Sequence, residues 1–189
     1  VGTGCGIIPI YLTRRGHNNP MTGVEIQGEL YDVAVRNGTM NGCSNVQFLR
    51  GDVRELRRNS TGFHVIISNP PYVKAWTGRK SPGYSRSLAR HEITLHLFEL
   101  LEIACSLLLT HGRLYLIYPA ERLAEVISTA KDKGLEPKRI RLVYSRPGER
   151  ARLSLVECVK GSGTSIKVEP PLYLYAGDEY SEEVKTYYR

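Results

Sequence analysis

Apolar and polar positions alternate along the chain in a way that predicts strands and helices in turn. The runs predicted as strands are MTGVEI, NVQFLRGD, HVIIS, RLYLIY, RIRLVYS and LSLVECVK. Helical periodicity falls at about 7–15, 28–41, 93–109 and 120–133. Such alternation predicts an α/β fold with a mostly parallel sheet.

Two local features refine this arrangement. The last two strands are joined by a turn at Pro147-Gly148 with no helix between them, so an antiparallel C-terminal strand is expected. Thr110-His111-Gly112 is expected to close the helix at 93–109. We expect one domain over residues 1–161, with 162–189 as an extension that is packed on it or partly disordered, and a long loop at 73–90.

Composition is that of a globular protein, with 41% hydrophobic and 24% charged residues in 189. No apolar run approaches the roughly 18 residues of a membrane span. The four scattered cysteines (Cys5, Cys43, Cys105 and Cys158) are in no metal-ligand spacing and suit a reducing cytoplasm. A net charge of +7 favours a polyanionic partner.

The segment VGTGCG carries alternating glycines before a predicted helix. Gly2, Gly4 and Gly6 do not fit the dinucleotide pattern G-x-G-x-x-G. They match the G-x-G-x-G loops of S-adenosylmethionine sites, in which Thr3 would also line the donor, although plain turn chemistry also uses such glycines. Because the motif starts at Val1, we expect an upstream strand to precede it.

Acids follow at the ends of the next two predicted strands. Glu25 stands where a carboxylate would bind the ribose hydroxyls, and Asp52 where one would accept from the adenine amine. Ile26 and Val53 are candidates to sandwich the adenine ring. Taken alone, Glu25 is equally compatible with a solvated acid and Asp52 with a helix N-cap.

The third strand end carries Asn69-Pro70-Pro71-Tyr72. An amine conjugated to a π system is a poor nucleophile, and the Asn69 side-chain carbonyl with the Pro70 backbone carbonyl can accept its two N–H groups and turn its lone pair toward a sulfonium methyl. The prolines stiffen the turn, and Tyr72 can stack on a planar acceptor. The bland alternative is a rigid turn with a core tyrosine.

A basic loop with interleaved aromatic residues follows this motif, which suits phosphates and stacked bases. Its candidate substrate contacts are Lys74, Trp76, Arg79, Lys80, Arg86, Arg90 and His91. A solvated surface loop is the alternative. A second basic stretch, formed by Lys138, Arg139, Arg141, Arg146, Arg150 and Arg152, is a candidate extension of the same surface.

The chain resembles the bacterial tRNA1(Val) adenine-N6 methyltransferase-like group. The similarity is carried by VGTGCG, GVEIQGELYDVAVRNGTMNG, GDVREL, NPPY, ARHE, GRLYLIYPAERLAEV, RPGERARLSLVECVKG and VEPPLYLY. The resemblance implies a Rossmann-like class I methyltransferase fold, with a mostly parallel seven-stranded sheet and helices on both faces. It also implies S-adenosylmethionine as donor and methylation of a tRNA adenosine that must be unstacked to reach the pocket. Methylation of a protein glutamine or an rRNA guanine, and non-enzymatic donor binding with an RNA partner, are the alternatives.

Overall fold

The computed structural model describes residues 1–58, 62–71 and 95–188. The helices are α1 (Ile7–Arg14), α2 (Gly28–Met40), α3 (Leu97–Leu107), α4 (Leu123–Asp132) and α5 (Glu182–Thr186). The long strands are β1 (Met21–Glu25), β2 (Val46–Arg50), β3 (Phe63–Ser68), β4 (Leu108–Pro119), β5 (Leu135–Tyr144) and β6 (Ala151–Lys160). Four short strands follow: β7 (Lys167–Val168), β8 (Leu172–Tyr173), β9 (Tyr175–Ala176) and β10 (Glu179–Tyr180).

The described strands fall into separate sheets. Strands β1 and β2 form a parallel pair, while the large sheet has the order β3-β4-β6-β5-β7, with β8 also paired to β5. Strand β3 runs parallel to β4, and β6 is antiparallel to both β4 and β5. The expected α/β fold with antiparallel C-terminal strands is confirmed, although the structure divides the long strands between two sheets rather than one.

The main core lies between the large sheet and helices α3 and α4. Helix α3 presents an apolar face with Leu100 and Leu101 fully buried, and α4 contributes Val126 and Ala130 in the same way. These side chains meet alternate residues of β4 and β6 in one continuous cluster. The packing fixes the large sheet in place, so that the end of β3 becomes a rigid platform.

The prediction that Thr110-His111-Gly112 closes a helix is wrong. Helix α3 ends at Leu107 because Leu108 already has extended backbone, and residues 110–112 belong to strand β4. The strand is irregular there, since its register with β3 shifts between Leu108 and Arg113 and His111 has a φ of 63°. One carbonyl of the last helical turn is capped from a distance, since Lys160 Nζ donates to the Cys105 oxygen at 2.6 Å. The same amine donates to the oxygen of Leu108, just past the helix, at 2.7 Å. A lysine that is distant in sequence therefore caps this end of the helix, where the prediction placed a local glycine turn.

The residues after 166 extend the large sheet, through β7 and β8 paired with β5, and add a second small core to it. Leu172 and Val184 form a small core with Val143 of β5. Part of the second basic stretch anchors this segment: Arg141 forms a bidentate pair with Glu183 at 2.6 and 2.7 Å, and Arg146 donates to the Gly177 oxygen at 3.1 Å. These arginines are thus engaged in contacts within the chain.

The Arg141–Glu183 pair gives a pH-dependent anchor for the C-terminal segment. The hydrogen bond from Arg141, with a second from Tyr187, lowers the pKa of Glu183 from 4.5 to about 2. We expect Glu183→Gln to lower the free energy of unfolding at pH 7 by roughly 0.5 kcal/mol, a small value because the carboxylate is half exposed. A depressed pKa stabilises above 4.5, so the difference from wild type should shrink as the pH falls from 4.5 toward 2.

Urea unfolding at several pH values measures this difference. Glu182→Gln is the matched control, because its carboxylate lies on the same helix but pairs with Lys185 and not with Arg141. A Glu183→Gln variant that differs from wild type by the same amount at pH 7 and pH 3 would show that the ion pair is not the anchor.

Candidate functional site

The polar residues of interest lie at the carboxyl ends of neighbouring strands. Glu25 ends β1, Asp52 follows β2 by two residues, and Asn69 follows β3 directly. The loop at residues 1–6 lies between the two sheets, since the Thr3 nitrogen donates to the Val24 oxygen at 2.9 Å and Ser68 Oγ donates to the Val1 oxygen at 3.2 Å. The structure therefore brings the glycine loop, both acids and Asn69 to one edge.

Glu25 ties the glycine loop to β1. Its carboxylate is 5% exposed and accepts from the Gly4 nitrogen at 2.8 Å and from the Gln27 nitrogen at 3.0 Å. Two backbone hydrogen bonds hold it in a single orientation and leave further lone pairs for a ligand. Glu25 thereby shapes the glycine loop, and the ribose role predicted for it stays a prediction.

The loop glycines leave room for a ligand. Gly4 has a φ of 56°, which favours glycine, and a Cβ built there or at Gly2 would meet no atom within 4 Å. Gly6 differs, because a Cβ there would lie 3.1 Å from the ring of Phe48. Gly6 is thus needed for packing, whereas the backbone at Gly2 and Gly4 borders open space.

The Asp52 carboxylate accepts three hydrogen bonds from Arg54. Its Oδ1 accepts from the Arg54 nitrogen at 2.9 Å, and its Oδ2 accepts from Arg54 Nε at 2.8 Å and from a terminal guanidinium nitrogen at 2.5 Å. The side-chain hydrogen bond from Arg54 lowers the pKa of Asp52 below its usual range. Asp52 also begins a 3-10 helix (Val53–Arg58), so the N-cap alternative describes part of what it does.

The two apolar residues predicted to sandwich the adenine ring, Ile26 and Val53, differ in their exposure to solvent. Ile26 is 40% exposed directly after Glu25, where its side chain is available to a ring. Val53 is 7% exposed and belongs to the main core cluster. Of the two, Ile26 offers the open surface at this edge.

Asn69 is the first residue after β3 and is exposed, followed by a buried Pro70 and an exposed Pro71. Its position is rigid because Ser68 is 2% exposed and pairs with Leu116 of β4. Tyr72 lies outside the described residues. So do all the candidate substrate contacts, namely Lys74, Trp76, Arg79, Lys80, Arg86, Arg90 and His91.

A cavity of about 620 Å³ borders Asn69. Ile67, Tyr115 and Ile117 supply apolar walls on the face of the sheet that α3 and α4 do not cover. Its volume is within the range of about 300 to 1,000 Å³ that is common for small-molecule sites. The end of the cavity at Asn69 offers an apolar surface beside a side chain able to orient an amine.

Sequence reasoning missed Arg54 as part of this edge. An acid and an arginine separated by one residue, as in Asp52-Val53-Arg54, was the available signal. By itself this spacing does not separate a site residue from a helix N-cap followed by a surface arginine.

Comparison with known proteins gives results of three kinds. A family model described as a methyltransferase domain matches residues 1–91. Curated relatives named tRNA1(Val) (adenine(37)-N6)-methyltransferase include one from Porphyromonas gingivalis, 32% identical over 83% of this chain and 63% of its own length, and one from Parabacteroides distasonis, 27% identical over 100% and 81%. The chain thus spans less than two thirds of the first of these relatives.

Solved structures agree on the fold. A predicted O-methyltransferase from Agrobacterium tumefaciens matches with a TM-score of 0.75 at 23% identity, covering 99% of this chain and 85% of its own. At that identity the likeness concerns the fold alone. In the described part of the chain, no helix is long and apolar enough to cross a membrane.

Proposed function

We propose that the chain is a class I S-adenosylmethionine-dependent methyltransferase and that it methylates an exocyclic amino group, N6 of an adenosine in tRNA. It is similar to proteins named tRNA1(Val) (adenine(37)-N6)-methyltransferase and to a methyltransferase-domain family model. One observation carries the proposal. The glycine loop, Glu25, Asp52 and Asn69 stand at successive strand ends on one edge of the fold. Ligands of open α/β folds bind at this edge.

The donor side of the proposed site is formed by the loop and the two acids. Open space at Gly2 and Gly4 fits a ligand that approaches the backbone closely. Glu25 would hold the ribose hydroxyls with its remaining lone pairs, and Asp52 would accept from the adenine amine. Bound S-adenosylmethionine would supply an electrophilic methyl group, and these residues would fix where it points.

The acceptor side rests on the rigid turn after β3. The side-chain oxygen of Asn69 and the backbone oxygen of Pro70 would each accept one N–H of the acceptor amine, so that the lone pair faces the methyl group. Pro70 is buried and lacks an N–H, which keeps this turn stiff. No ionised base is required, because the proton can leave to water once the nitrogen has become cationic.

A tRNA acceptor is favoured by charge and by the relatives' names. The chain carries a net +7, and the basic and aromatic residues of 73–91 follow the acceptor motif. The curated relatives are named for adenine-N6 methylation of tRNA1(Val). All four cysteines are free thiols, which suits the cytoplasm where such a substrate is found.

Incubation with labelled S-adenosylmethionine tests the acceptor. With total bacterial tRNA and purified release factor in separate reactions, we expect label in tRNA, recovered as N6-methyladenosine on nucleoside analysis. rRNA serves as the third substrate. Label in protein alone, or in guanine of rRNA, would overturn the proposed acceptor while retaining the methyltransferase, and absence of donor binding would overturn both.

A further inference from the structure

We propose that Arg54 is a positioning residue for donor recognition: it clamps the Asp52 carboxylate so that one lone pair remains for the donor's adenine amine, and it links this acid to the start of helix α3. The inference rests on the proposed function, which places the donor's adenine at Asp52. The inference is based on the contacts that Arg54 makes with Asp52 and with Glu99.

The first contact set is the clamp on Asp52. Arg54 uses its backbone nitrogen on Oδ1 and two guanidinium nitrogens on Oδ2, with all three distances between 2.5 and 2.9 Å. A carboxylate has about four lone-pair sites. Oδ2 is therefore saturated, and one site on Oδ1 remains, so a ligand can meet Asp52 in only one way.

The second contact joins Arg54 to helix α3. Another guanidinium nitrogen lies 3.6 Å from Glu99 Oε1, and Glu99 Oε2 accepts from the His96 nitrogen at 3.0 Å, which caps the helix. A single arginine is thus shared between the acid at the donor edge and the first turn of α3. The shared arrangement limits the rotation of the guanidinium and hence of Asp52.

Arginine is the residue type that can make this arrangement. Its planar fork reaches Oδ2 through two nitrogens and still has a third directed toward Glu99. A lysine would keep the positive charge but would place a single ammonium there. Orientation and charge can therefore be separated by the Arg54→Lys substitution.

A double-mutant cycle measured by calorimetry tests the inference. We expect Arg54→Ala and Arg54→Lys each to weaken S-adenosylmethionine binding by about tenfold, the loss of one oriented charge-assisted hydrogen bond. In an Asp52→Asn background, where the clamp has no carboxylate to orient, we expect Arg54→Ala to change the dissociation constant less than about twofold. A purely structural role for Arg54 would give the same loss in both backgrounds.

Two variants that remove a negative charge from helix α3 extend the test, and the second of them is the matched control. Glu99→Gln keeps an oxygen for the His96 cap but loses the charge that faces Arg54, so donor affinity should fall by about two- to threefold. Glu102 lies on the same helix and pairs with Lys133 at the end of α4, so Glu102→Gln should leave donor affinity unchanged. Circular dichroism shows whether each variant is folded.

The outcomes separate the inference from the function on which it rests. Additive losses in the cycle, or wild-type affinity in folded Arg54→Lys, would overturn the role of Arg54 while the donor still binds the wild-type chain. Failure of the wild-type chain to bind S-adenosylmethionine would overturn the proposed function and this inference together.

Discussion

Replacing Asn69 by alanine is expected to abolish methyl transfer while leaving donor affinity within a few-fold of wild type. The residue stands at the end of β3, after the buried Ser68, where it borders the cavity and belongs to no strand ladder. Its side-chain oxygen would be one of only two acceptors that orient the amine. Without it, the lone pair is free to turn away from the methyl group.

The size of the loss follows from the chemistry of oriented dipoles. Removing one preorganised hydrogen-bond partner from a reacting group commonly lowers kcat by about 10² to 10³. We expect a loss in kcat of at least this size, because the proposed mechanism contains no ionised base that could compensate for the lost acceptor. Single-turnover rates with labelled donor and tRNA measure the chemical step, and calorimetry measures the donor affinity separately.

Asn19→Ala serves as the control for Asn69→Ala. Asn19 is an exposed asparagine just before β1, at the opposite end of the strands, and its replacement should leave both the rate and the donor affinity unchanged. If folded Asn69→Ala turns over at the wild-type rate, Asn69 does not orient the acceptor and the catalytic proposal fails.

Much of the fold could be predicted because local pattern and tertiary packing agree. Strands β1 to β3 each end within two residues of the predicted positions, since apolar runs and strand-end polar residues are both local signals. The end of α3 differs from the prediction at 110–112, and the Cys105 carbonyl in its last turn is capped by Lys160, which lies more than fifty residues further along the chain. Local turn chemistry carries no information on such a contact.

The division of strands between sheets also lies beyond a local pattern. Strand β6 inserts between β4 and β5, so neighbours in the sheet are not neighbours in the chain. The burial of single residues is also not determined by local sequence. In the sequence, Ile26 and Val53 have the same setting, since each is an apolar residue directly after a strand-end acid. Only packing against α3 and the sheet distinguishes Val53, which lies in the core, from Ile26, which is exposed.

Candidate site residues could be placed at one edge from the sequence, but their partners could not. Glu25 and Asp52 were predicted as ligand-binding acids, and in the structure each also binds the backbone or side chain of its own chain. Buried or half-buried carboxylates require such partners, because an unpaired charge is costly to bury. Preorganised acids of this kind bind a ligand without first having to be oriented.

Replacing Glu25 by glutamine should weaken donor binding by about a hundredfold and lower the free energy of unfolding by about 2 kcal/mol. The substitution keeps the size of the side chain, so the effect comes from hydrogen bonding and the lost negative charge and not from packing. Both carboxylate oxygens accept from backbone N–H groups, of Gly4 and Gln27, and a glutamine can replace only one oxygen. Its amide nitrogen would face an N–H, leaving a buried donor unsatisfied and the glycine loop released from β1.

Calorimetry with S-adenosylmethionine and urea unfolding measure the two effects of Glu25→Gln. Glu29→Gln is the matched control, because Glu29 is an exposed acid in the first turn of α2, four residues further along the chain. Glu25→Ala should weaken donor binding at least as much, since it leaves both N–H groups without an acceptor. Donor binding by folded Glu25→Gln at wild-type strength would mean that neither the ribose nor the loop depends on this carboxylate, and the donor would have to bind elsewhere on the chain.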